Sequence, residues 1–546
     1  MKFPSRSKLA RTGLAAAVIL AGLMLGGWLG IILALPPVET ASDASPRLLS
    51  REGEILYTEL SASGQWLWPE KLDQMGPHLP RLAAAVEDKR FYRHPGVDPL
   101  ALLRALGQNI LSGRIVSGGS TITVQTVKLL NPSPRTLVAK GREFASALKL
   151  ESQLSKDEIL ELYLNLAPMG GNIQGVGAAS WAYYGKRPNE LSLGESLTLI
   201  AVLRKPSQYR PDRFPEKARR RRDLLLERLF AKGAITRRER DLALAEPVIP
   251  GRRAFPRRIP HLARRILNEQ PRSWKTGSPD SAGLRTAVSD RLQKLMVQRL
   301  GQALEPFPQA VTGAGVLLDS RTGEVLAYTG NARPEEAGGW LDLALARRSP
   351  GSALKPFIYL AAFNQGWLTP ASMLADTPWG LSGQAPRNFD EKYRGPVTAS
   401  YALAQSLNVP AVRVLRRLGP EAAAEVLRQA GFRTDPGRDY GDSLVLGGAE
   451  VTLEELVSAY GALARQGRKV TPHFLAGETD QAEAPVIFPA EASWMVNQIL
   501  TEPSRRPRGL GGRGLAFKTG TSPGFRDAWL AVYSPEHTLV MWLEIG

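Results

Sequence analysis

The sequence predicts a multidomain protein with an N-terminal transmembrane helix, a mostly α-helical domain, and an α/β domain whose five-stranded antiparallel sheet packs with helices. Three observations support this prediction. An uncharged stretch, 12–35, is long enough to span a bilayer, which needs about 20 apolar residues. Helical patterns fill much of residues 76–245, and five β-like runs lie between 315 and 543.

The uncharged stretch is preceded by a basic tail. Four Lys and Arg residues lie within 1–11, which places the N-terminus in the cytoplasm. A cleaved signal peptide is the alternative, but its apolar region would be shorter, about 7–15 residues, and would end in a small-residue cleavage site. No good site follows residue 31. We therefore favour an uncleaved single-pass anchor in the cytoplasmic (inner) membrane, with the bulk of the chain outside, in the periplasm.

Composition limits the possible classes of function. A chain of 546 residues is long enough for two or three domains, each with its own core. Cysteine is absent, which excludes disulfides, thiol nucleophiles and zinc–thiolate sites. Five histidines without paired spacing argue against a structural metal. The net charge of +18 suits an anionic partner such as a membrane surface or a pyrophosphate; without a nucleic-acid motif we expect no nucleic-acid partner.

Local patterns in the first half predict helices and one donor-rich loop. An apolar run predicts a helix over 79–86, and glycines and hydroxyls at 118–121 predict a loop that offers donors to an oxyanion before a helix begins. A capping box at Ser155 predicts another helix start. Glycines between 170 and 177 are expected to loosen the backbone before a helical run, 178–185.

The predicted domain limits follow from these patterns. They are a cytoplasmic basic tail (1–11), a transmembrane anchor (12–35), a stalk (36–75), a helical domain (76–245), a linker rich in Arg and Pro (246–285) and an α/β domain (286–546). Within the helical domain, the arginines at 219–222 predict an amphipathic helix with a solvated basic face, in preference to a contact with lipid headgroups.

Alternation and turn signals predict the sheet of the second half. The five runs are 315–318, 324–329, 515–521, 528–533 and 539–543. A hairpin signal at 319–323 joins the first two strands, and Ser534 with Pro535 marks the last turn. The segment 355–363 predicts a helix, in which Pro356 is tolerated because it lies in the first turn.

Three short motifs occur in order along the second half. The first motif has Ser352 and, three residues later, Lys355. The second has Ser406 and, two residues later, Asn408. The third is Lys518 followed directly by Thr519 and Gly520. Each motif alone occurs by chance in many proteins, where it is an ordinary solvated segment. The ordered set predicts a serine acyl-transfer site, with the third motif on a strand opposite the helix of the first.

The residue types suit that chemistry. A serine hydroxyl is a weak nucleophile until a base takes its proton, and Ser352 shares a helix face with Lys355. Lys355 can be that base only if burial or a second cation lowers its pKa, and Lys518 is the candidate for that cation. Ser406 could relay a proton to the leaving group, and Asn408 could hold a substrate amide.

The first half contains a second group of polar residues. Glu87 and Asp88 end the predicted helix, and Lys128, Lys140 and Arg142 follow the donor-rich loop. Solvated surface charge is one interpretation of this pattern. A site in which carboxylates work beside cations that bind an anion is the other.

Together these segments resemble a known family. The first half is similar to the five signature regions of the peptidoglycan glycosyltransferase family 51, which implies a lysozyme-like domain. The second half resembles a penicillin-binding transpeptidase domain of penicillin-binding/β-lactamase-like fold. The tandem arrangement behind one anchor resembles the class A bifunctional penicillin-binding proteins, and the strings 166–181, 348–357 and 446–450 resemble their 1C branch. The resemblance covers roughly residues 50–546.

The resemblance implies a membrane-anchored peptidoglycan synthase. Glu87 matches the general base that deprotonates the sugar 4-hydroxyl of lipid II, with Asp88 raising its pKa, and Glu143 matches a second glutamate on the donor side. Residues matching the substrate and pyrophosphate site are Asp88, Ser120, Thr121, Gln125, Lys128, Lys140 and Arg142. A divalent cation (Mg²⁺ or Mn²⁺) at the pyrophosphate is a further expectation, although the sequence contains no dedicated metal cage.

For the second half, the resemblance implies transpeptidation at D-Ala-D-Ala. Ser352, Lys355, Ser406, Asn408 and Lys518 match catalytic positions, and Thr519, Gly520 and Thr521 match substrate-binding positions. Backbone N–H groups of Ser352 and Thr521 match the oxyanion hole. Penicillins are expected to acylate Ser352. The implied partners are lipid II, the growing glycan strand, stem peptides, β-lactams, the cytoplasmic membrane and other proteins of cell-wall synthesis.

Some positions differ from the family pattern. Ala139 replaces an Arg, Val124 and Leu129 replace a Gln and an Asn, and the run 203–207 differs in the fifth region. The chain also ends directly after the last predicted strand, so we expect a shortened C-terminal end. Two alternatives follow: a glycosyltransferase whose transpeptidase half is hydrolytic or inactive, and a non-catalytic cell-wall scaffold or β-lactam-binding protein.

Overall fold

The computed structural model describes residue 30 and residues 35–39, 43–112, 119–134, 136–269, 283–307, 311–336, 338–378, 386–435, 438–477, 484–502 and 514–544. They form two compact units. The first contains 58–255, and the second contains 48–57, 256–269 and 284–544. Among these described residues no helix combines the length and the apolar character needed to cross a membrane. The predicted anchor, 12–35, lies outside them apart from residues 30 and 35.

Part of the predicted stalk is strand. Strands β1 (Arg47–Leu49) and β2 (Ile55–Thr58) form a three-stranded sheet with β6 (Leu284–Arg285), in the order β2-β1-β6, with β1 and β6 parallel. Leu48 and Leu56 are fully buried there, and residues 48–57 belong to the second unit. The change of unit between Phe255 and Pro256 lies within the predicted linker, and the other domain limits stay predictions.

The first unit is mostly helical. Its small sheet has the order β3-β5-β4, and its helices pack around one another. The elements are β3 (Trp66–Leu67), α1 (Leu79–Glu87), α2 (Pro99–Ser112), α3 (Ile122–Leu130), α4 (Leu137–Gln153), α5 (Lys156–Leu166), β4 (Pro168–Gly170), β5 (Ile173–Gln174), α6 (Gly175–Tyr184), α7 (Leu193–Arg204), α8 (Pro206–Tyr209), α9 (Pro215–Phe230) and α10 (Arg237–Ala245).

The structure of the first unit confirms the predicted capping box and corrects the prediction for the glycines before residue 178. Ser155 forms the predicted capping box with Glu158 at the start of α5. The glycines before residue 178 do not loosen the backbone, because α6 already begins at Gly175. A Cβ at Gly177 would overlap the backbone carbonyl of Trp68, so this glycine allows close packing of helix on strand.

The basic face of α9 is also different from the prediction. Arg219 and Arg220 are exposed, whereas Arg222 is only 1 % exposed and donates to the carbonyl oxygens of Glu246 and Leu244. Arg222 therefore links α9 to the C-terminal end of α10 through these hydrogen bonds. The predicted solvated basic face holds for Arg219 and Arg220 but not for Arg222, because a long side chain can bury its stem and still satisfy its donors with backbone carbonyls.

The second unit is built on the predicted five-stranded antiparallel sheet, in the order β11-β12-β13-β7-β8. Alternate residues of β12 are buried, as a strand with one covered face requires. The remaining elements are α11 (Pro260–Glu269), α12 (Asp290–Leu304), β7 (Gly313–Asp319), β8 (Val325–Thr329), α13 (Lys355–Asn364), β9 (Met373–Asp376), β10 (Gly395–Thr398), α14 (Ala399–Ala404), α15 (Asn408–Leu418), α16 (Pro420–Gln429), α17 (Leu453–Ala464), α18 (Ala490–Leu500), β11 (Ala516–Thr521), β12 (Asp527–Tyr533) and β13 (His537–Glu544).

Candidate active sites

In the first unit, the predicted base lies at the last residue of α1. Glu87 Oε1 is buried and has no hydrogen-bond partner among the described residues. Burial raises the pKa of Glu87, and the nearby charge of Asp88 adds to this. The charges of Arg204 and Arg221 and a contact with Gln125 offset part of the rise. A carboxylate with a raised pKa and a free oxygen is suited to accept a proton.

The neighbouring carboxylate, Asp88, has hydrogen-bond partners within the described residues, unlike Glu87 Oε1. Asp88 is 8 % exposed, and its Oδ2 lies 3.0 Å from His94 Nε2 and accepts from the backbone N–H of Ile122 at 3.1 Å. It therefore joins the turn after α1 to the first residue of α3. Its role in binding substrate stays a prediction.

Helix α3 places the predicted Gln beside the base. Thr121 is the N-cap, accepting from Val124 N at 3.2 Å, and its buried hydroxyl donates to a backbone carbonyl. One turn later, Gln125 accepts a hydrogen bond from the Tyr163 hydroxyl at 3.4 Å. Burial raises the pKa of Tyr163, and the charge of Glu87 raises it further, so this phenol stays protonated as a donor. Sequence reasoning had found no role for Tyr163.

A second group of polar residues surrounds Glu143 on α4. Its Oε2 accepts from Lys140 Nζ at 2.8 Å and its Oε1 accepts from Ser133 Oγ at 2.6 Å. Burial alone would raise the pKa of Glu143, but these hydrogen bonds and the charges of Lys140 and Lys128 outweigh it and hold the pKa below its usual range. Lys140 Nζ also lies 3.3 Å from Ser120 Oγ.

The structure therefore brings together most of the predicted residues of the first half. Gln125 accompanies Glu87, and Ser120, Lys128 and Lys140 accompany Glu143. Arg142 is exposed on α4. Two residues that sequence reasoning missed, Arg204 at the end of α7 and Arg221 on α9, bring positive charge to Glu87 from distant parts of the chain.

The donor set around Glu143 does not fit the expected divalent cation. Mg²⁺ and Mn²⁺ prefer several oxygen ligands. The carboxylate present here already accepts hydrogen bonds from Lys140 and Ser133 on its two oxygens, and the other charged neighbours are lysines. In the described parts of the chain, no cluster of three or more His, Asp or Glu residues suits a metal.

In the second unit, Ser352 lies in a 3-10 turn, Gly351–Leu354, that leads directly into α13. It lines a cleft of about 480 Å³. The other predicted residues that line this cleft are Ser406, Asn408, Thr519 and Thr521. The three sequence motifs therefore meet at one place, although they lie far apart along the chain.

Lys355 is the first residue of α13 and is fully buried. Its Nζ donates to the Ser406 carbonyl oxygen at 2.6 Å and to Asn408 Oδ1 at 2.6 Å. Burial lowers the pKa of Lys355 to about 7. Of the two causes that the sequence suggested, burial accounts for this pKa, so a large fraction of Lys355 is a neutral amine at neutral pH.

Lys518 approaches Ser406 from strand β11. Its buried Nζ donates to Ser406 Oγ at 2.9 Å and to the Thr519 carbonyl oxygen at 2.6 Å. Ser406 thus contacts both lysines, Lys355 through its backbone carbonyl and Lys518 through its hydroxyl. A hydroxyl that accepts from a buried lysine amine in the cleft is suited to pass a proton.

The backbone of Ser406 is in the left-handed region, with φ at +56°. This conformation costs a non-glycine residue about 1–2 kcal/mol and is often retained at functional sites. We expect Ser406→Gly to raise the free energy of unfolding by about 1 kcal/mol and to slow acylation by about 10²-fold, because it relieves strain but removes the hydroxyl.

Ser406→Ala is the matched variant, because it removes the hydroxyl and keeps the strain. The two variants should acylate equally slowly and differ in thermal unfolding. If a fluorescent penicillin acylates Ser406→Gly as fast as the unchanged chain, the hydroxyl has no part in the reaction.

Two glycines allow β11 to lie against the nucleophile turn. A Cβ at Gly351, whose φ is +52°, would overlap the backbone of Thr521, and a Cβ at Gly520 would overlap the Pro350 carbonyl. This close approach brings the backbone of Thr521 beside Ser352, where the predicted oxyanion hole requires it.

We therefore expect Gly520→Ala to push β11 away from the turn. Overpacking of this kind costs about 1–3 kcal/mol, and a shift of about 1 Å at a reacting group can slow a reaction about 10²-fold. The rate of penicillin acylation and the melting temperature report both effects. Gly301→Ala on α12 is the control, because its Cβ would meet open space and should leave acylation unchanged. An unaltered acylation rate in Gly520→Ala would contradict this explanation.

Side chains outside the three motifs hold the nucleophile turn. The Tyr460 hydroxyl donates to the Ala353 carbonyl at 2.7 Å, and Trp529 Nε1 donates to the Ser349 carbonyl at 2.9 Å. Both are buried residues on α17 and β12, and sequence reasoning missed them because buried aromatic residues in helices and strands usually indicate core packing.

Comparison with known proteins matches one family model to each half of the chain. The Transglycosylase family model matches residues 53–230, and the penicillin binding protein transpeptidase domain matches residues 313–534. The chain is 36 % identical to penicillin-binding protein 1C of Escherichia coli (strain K12), over 97 % of this chain and 68 % of that protein. It is 30 % identical to penicillin-binding protein 1F of Bacillus subtilis (strain 168), over 96 % of this chain and 77 % of that protein.

A solved structure agrees with the fold. Penicillin-binding protein 1A from Haemophilus influenzae superposes with a TM-score of 0.53 and 20 % identity, covering 92 % of this chain and 88 % of that one. At this identity the likeness concerns the fold alone. With both domains matched in order and relatives similar over nearly the whole chain, this protein belongs to the class A penicillin-binding proteins, with a transglycosylase and a transpeptidase domain.

Proposed function

We propose that this protein is a peptidoglycan synthase, which polymerises lipid II in its first unit and cross-links stem peptides in its second. The observation that carries the proposal is the cleft of Ser352, in which Lys355 is fully buried and Lys518 contacts Ser406. A buried lysine with its pKa lowered to about 7, three residues after a serine that lines a cleft, is suited to acyl transfer.

In the transpeptidase reaction, Lys355 takes the proton of Ser352 as the hydroxyl oxygen attacks the carbonyl of the penultimate D-Ala. Backbone N–H groups of Ser352 and Thr521 receive the oxyanion. Ser406, supported by Lys518, donates a proton to the departing D-Ala amine, and the proton that Lys355 took from Ser352 replaces it, which leaves Lys355 neutral again. A neighbouring stem-peptide amine then attacks the acyl-enzyme. Lys355 accepts the proton of that amine and returns it to the Ser352 oxygen as the ester bond breaks. Asn408 and Thr519 would hold the peptide amides along the cleft.

In the glycosyl transfer, Glu87 takes the proton of the 4-hydroxyl on one lipid II molecule. The sugar oxygen attacks the anomeric carbon of the growing lipid-linked strand, and the lipid pyrophosphate leaves. Lys128 and Lys140 would stabilise the leaving charge beside Ser120, and Gln125 would orient the acceptor near the base. Glu143, held ionised by Lys140, fixes that lysine in place.

The direct test combines two assays on the full chain. Purified protein in detergent is given labelled lipid II, and separately a fluorescent penicillin. Glycan polymer with cross-linked dimers, together with penicillin labelling, would support the complete proposal. Polymer with trimmed or unlinked peptides would leave the glycosyltransferase with a hydrolytic or inactive second unit. If the protein binds penicillin but makes no glycan polymer and shows no turnover, the result would favour a non-catalytic scaffold.

We also propose that residues 12–35 anchor the protein in the cytoplasmic membrane with the N-terminus inside and the catalytic domains in the periplasm. The uncharged length of this stretch and its basic flank support the proposal. Full-length protein should resist alkaline extraction from membranes and be digested by protease added to the periplasm. Release by alkali would contradict an integral anchor.

A further inference from the structure

A buried asparagine lies behind the cleft of Ser352, outside the three motifs. Asn388 is 4 % exposed, and the carboxylate of Asp376, at the end of β9, is fully buried beside it. Asn388 Nδ2 donates to Asp376 Oδ1 at 2.7 Å and Oδ2 at 3.0 Å, and to the Lys392 carbonyl at 2.8 Å. Because a carboxylate can only accept, these contacts determine which way the Asn388 amide points.

The other end of that amide faces the second motif. Asn388 Oδ1 accepts from the backbone N–H of Asn408 at 2.9 Å and of Val409 at 3.3 Å. These are the first two residues of α15, whose N–H groups have no partner within the helix. Asn388 therefore caps α15 from a distant part of the chain and fixes the position of Asn408.

The residue before Asn388 fixes the side chain of Asn408 as well. Asn408 Nδ2 donates to the Arg387 carbonyl at 2.8 Å, so Asn408 Oδ1 is the atom that faces Lys355, at 2.6 Å. A neutral lysine amine has two N–H groups. Here Asn408 Oδ1 and the Ser406 carbonyl accept them, which leaves the nitrogen lone pair for another partner.

We propose that Asn388, held by Asp376, is a positioning residue of the acyl-transfer site: it sets Asn408 so that Lys355 keeps both N–H groups occupied and directs its lone pair to the Ser352 hydroxyl. Asn388 does not touch substrate, and it acts through Asn408. The inference rests on the proposed transpeptidase function of the second unit.

Three charged groups adjoin this network. Lys518 contacts Ser406 on the cleft side, and Asp376 lies behind Asn388. The backbone N–H of Arg394 donates to Asp376 Oδ2 at 3.0 Å, with its guanidinium 3.9 Å from the same atom. Asp376 is thus held by Arg394 on one side and Asn388 on the other, and Asn388 lies between Asp376 and the pair formed by Asn408 and Lys355.

The test measures the rate of acylation by a fluorescent penicillin against pH in the full chain. Asn388→Ala should acylate about 10- to 100-fold more slowly at pH 7. The pH midpoint of acylation should also move upward, because Asn408 is released and water can reach the Lys355 amine and favour its charged form. Asn388→Asp should be at least as slow, because it places a second carboxylate against Asp376.

The exchanged pair, Asp376→Asn with Asn388→Asp, is the decisive variant. It restores one donor facing one carboxylate and keeps an acceptor for the Asn408 and Val409 N–H groups, so the rate above the pH midpoint should return to within a few-fold of the unchanged chain. The midpoint itself should stay above that of the unchanged chain, because the carboxylate now lies nearer to the Lys355 amine. A rescued rate would establish positioning, which a general loss of folding does not reproduce. Failure of the exchanged pair to recover, or a wild-type rate and midpoint in Asn388→Ala, would overturn the inference. Absence of labelling in the unchanged chain would instead contradict the proposed transpeptidase function.

Discussion

Ser352→Ala is expected to abolish covalent labelling by a fluorescent penicillin, because Ser352 is the hydroxyl that the turn before α13 places in the cleft, three residues before the buried Lys355. The matched control is Ser458→Ala on α17, which makes the same chemical change in the second unit outside the cleft. The control should label at the rate of the unchanged chain. Labelling of Ser352→Ala would place the nucleophile elsewhere.

The same assay tests the base. Since burial lowers the pKa of Lys355 to about 7, the acylation rate of the unchanged chain should rise as pH passes through about 7 and level off above it. The sign follows from the reaction: protonated Lys355 cannot accept the Ser352 proton, and deprotonated Lys355 can. Lys355→Met should label at least 10²-fold more slowly at every pH. A rate that is flat between pH 5 and 9 would exclude Lys355 as the titrating base.

Glu87→Gln is expected to lower the rate of lipid II polymerisation by about 10²–10⁴-fold, the usual contribution of a general base. The amide keeps the size of the side chain but cannot accept the proton. Penicillin labelling by the second unit should stay unchanged in this variant, which shows that the chain is intact. Polymerisation is measured as glycan strand length and yield from labelled lipid II.

The matched control is Glu216→Gln on α9, a glutamate that is 66 % exposed and pairs with Arg219 at the surface. Such surface pairs contribute little, so polymerisation should not change. Because burial raises the pKa of Glu87, polymerisation by the unchanged chain should fall with acidification at a higher pH than an ordinary glutamate would give. Normal polymerisation by Glu87→Gln would show that another group is the base.

Much of the fold could be predicted because its signals are local. The capping box at Ser155 and the helix from Lys355 depend on neighbours within one or two turns. The five strands of the main sheet in the second unit were predicted nearly to their ends, because runs of strand-forming residues bounded by turn signals are properties of the local sequence. The three motifs also predicted a set of residues that the structure brings together at one cleft.

Other features had no local signal. The strands that include Leu48 and Leu56 were predicted as stalk, because two- to four-residue strands are too short for periodicity. Gly177 resembled a residue that makes the backbone flexible. The Trp68 carbonyl, which leaves no room for a side chain at position 177, comes close only when α6 packs against the residue after β3. Arg222 resembled surface charge for a similar reason.

The sequence by itself determined the residue types and the order of the chemical groups: a carboxylate at Glu87, cations after it, and Ser352, Lys355 and Lys518 in the second half. Only the tertiary structure decided how these groups behave. Burial gives Lys355 its lowered pKa and Glu87 its raised one, because desolvation depends on packing from distant segments. The fold also places Asn388 behind Asn408. The sequence could not predict this contact, because a hydrogen bond between residues far apart in the chain leaves no periodic pattern.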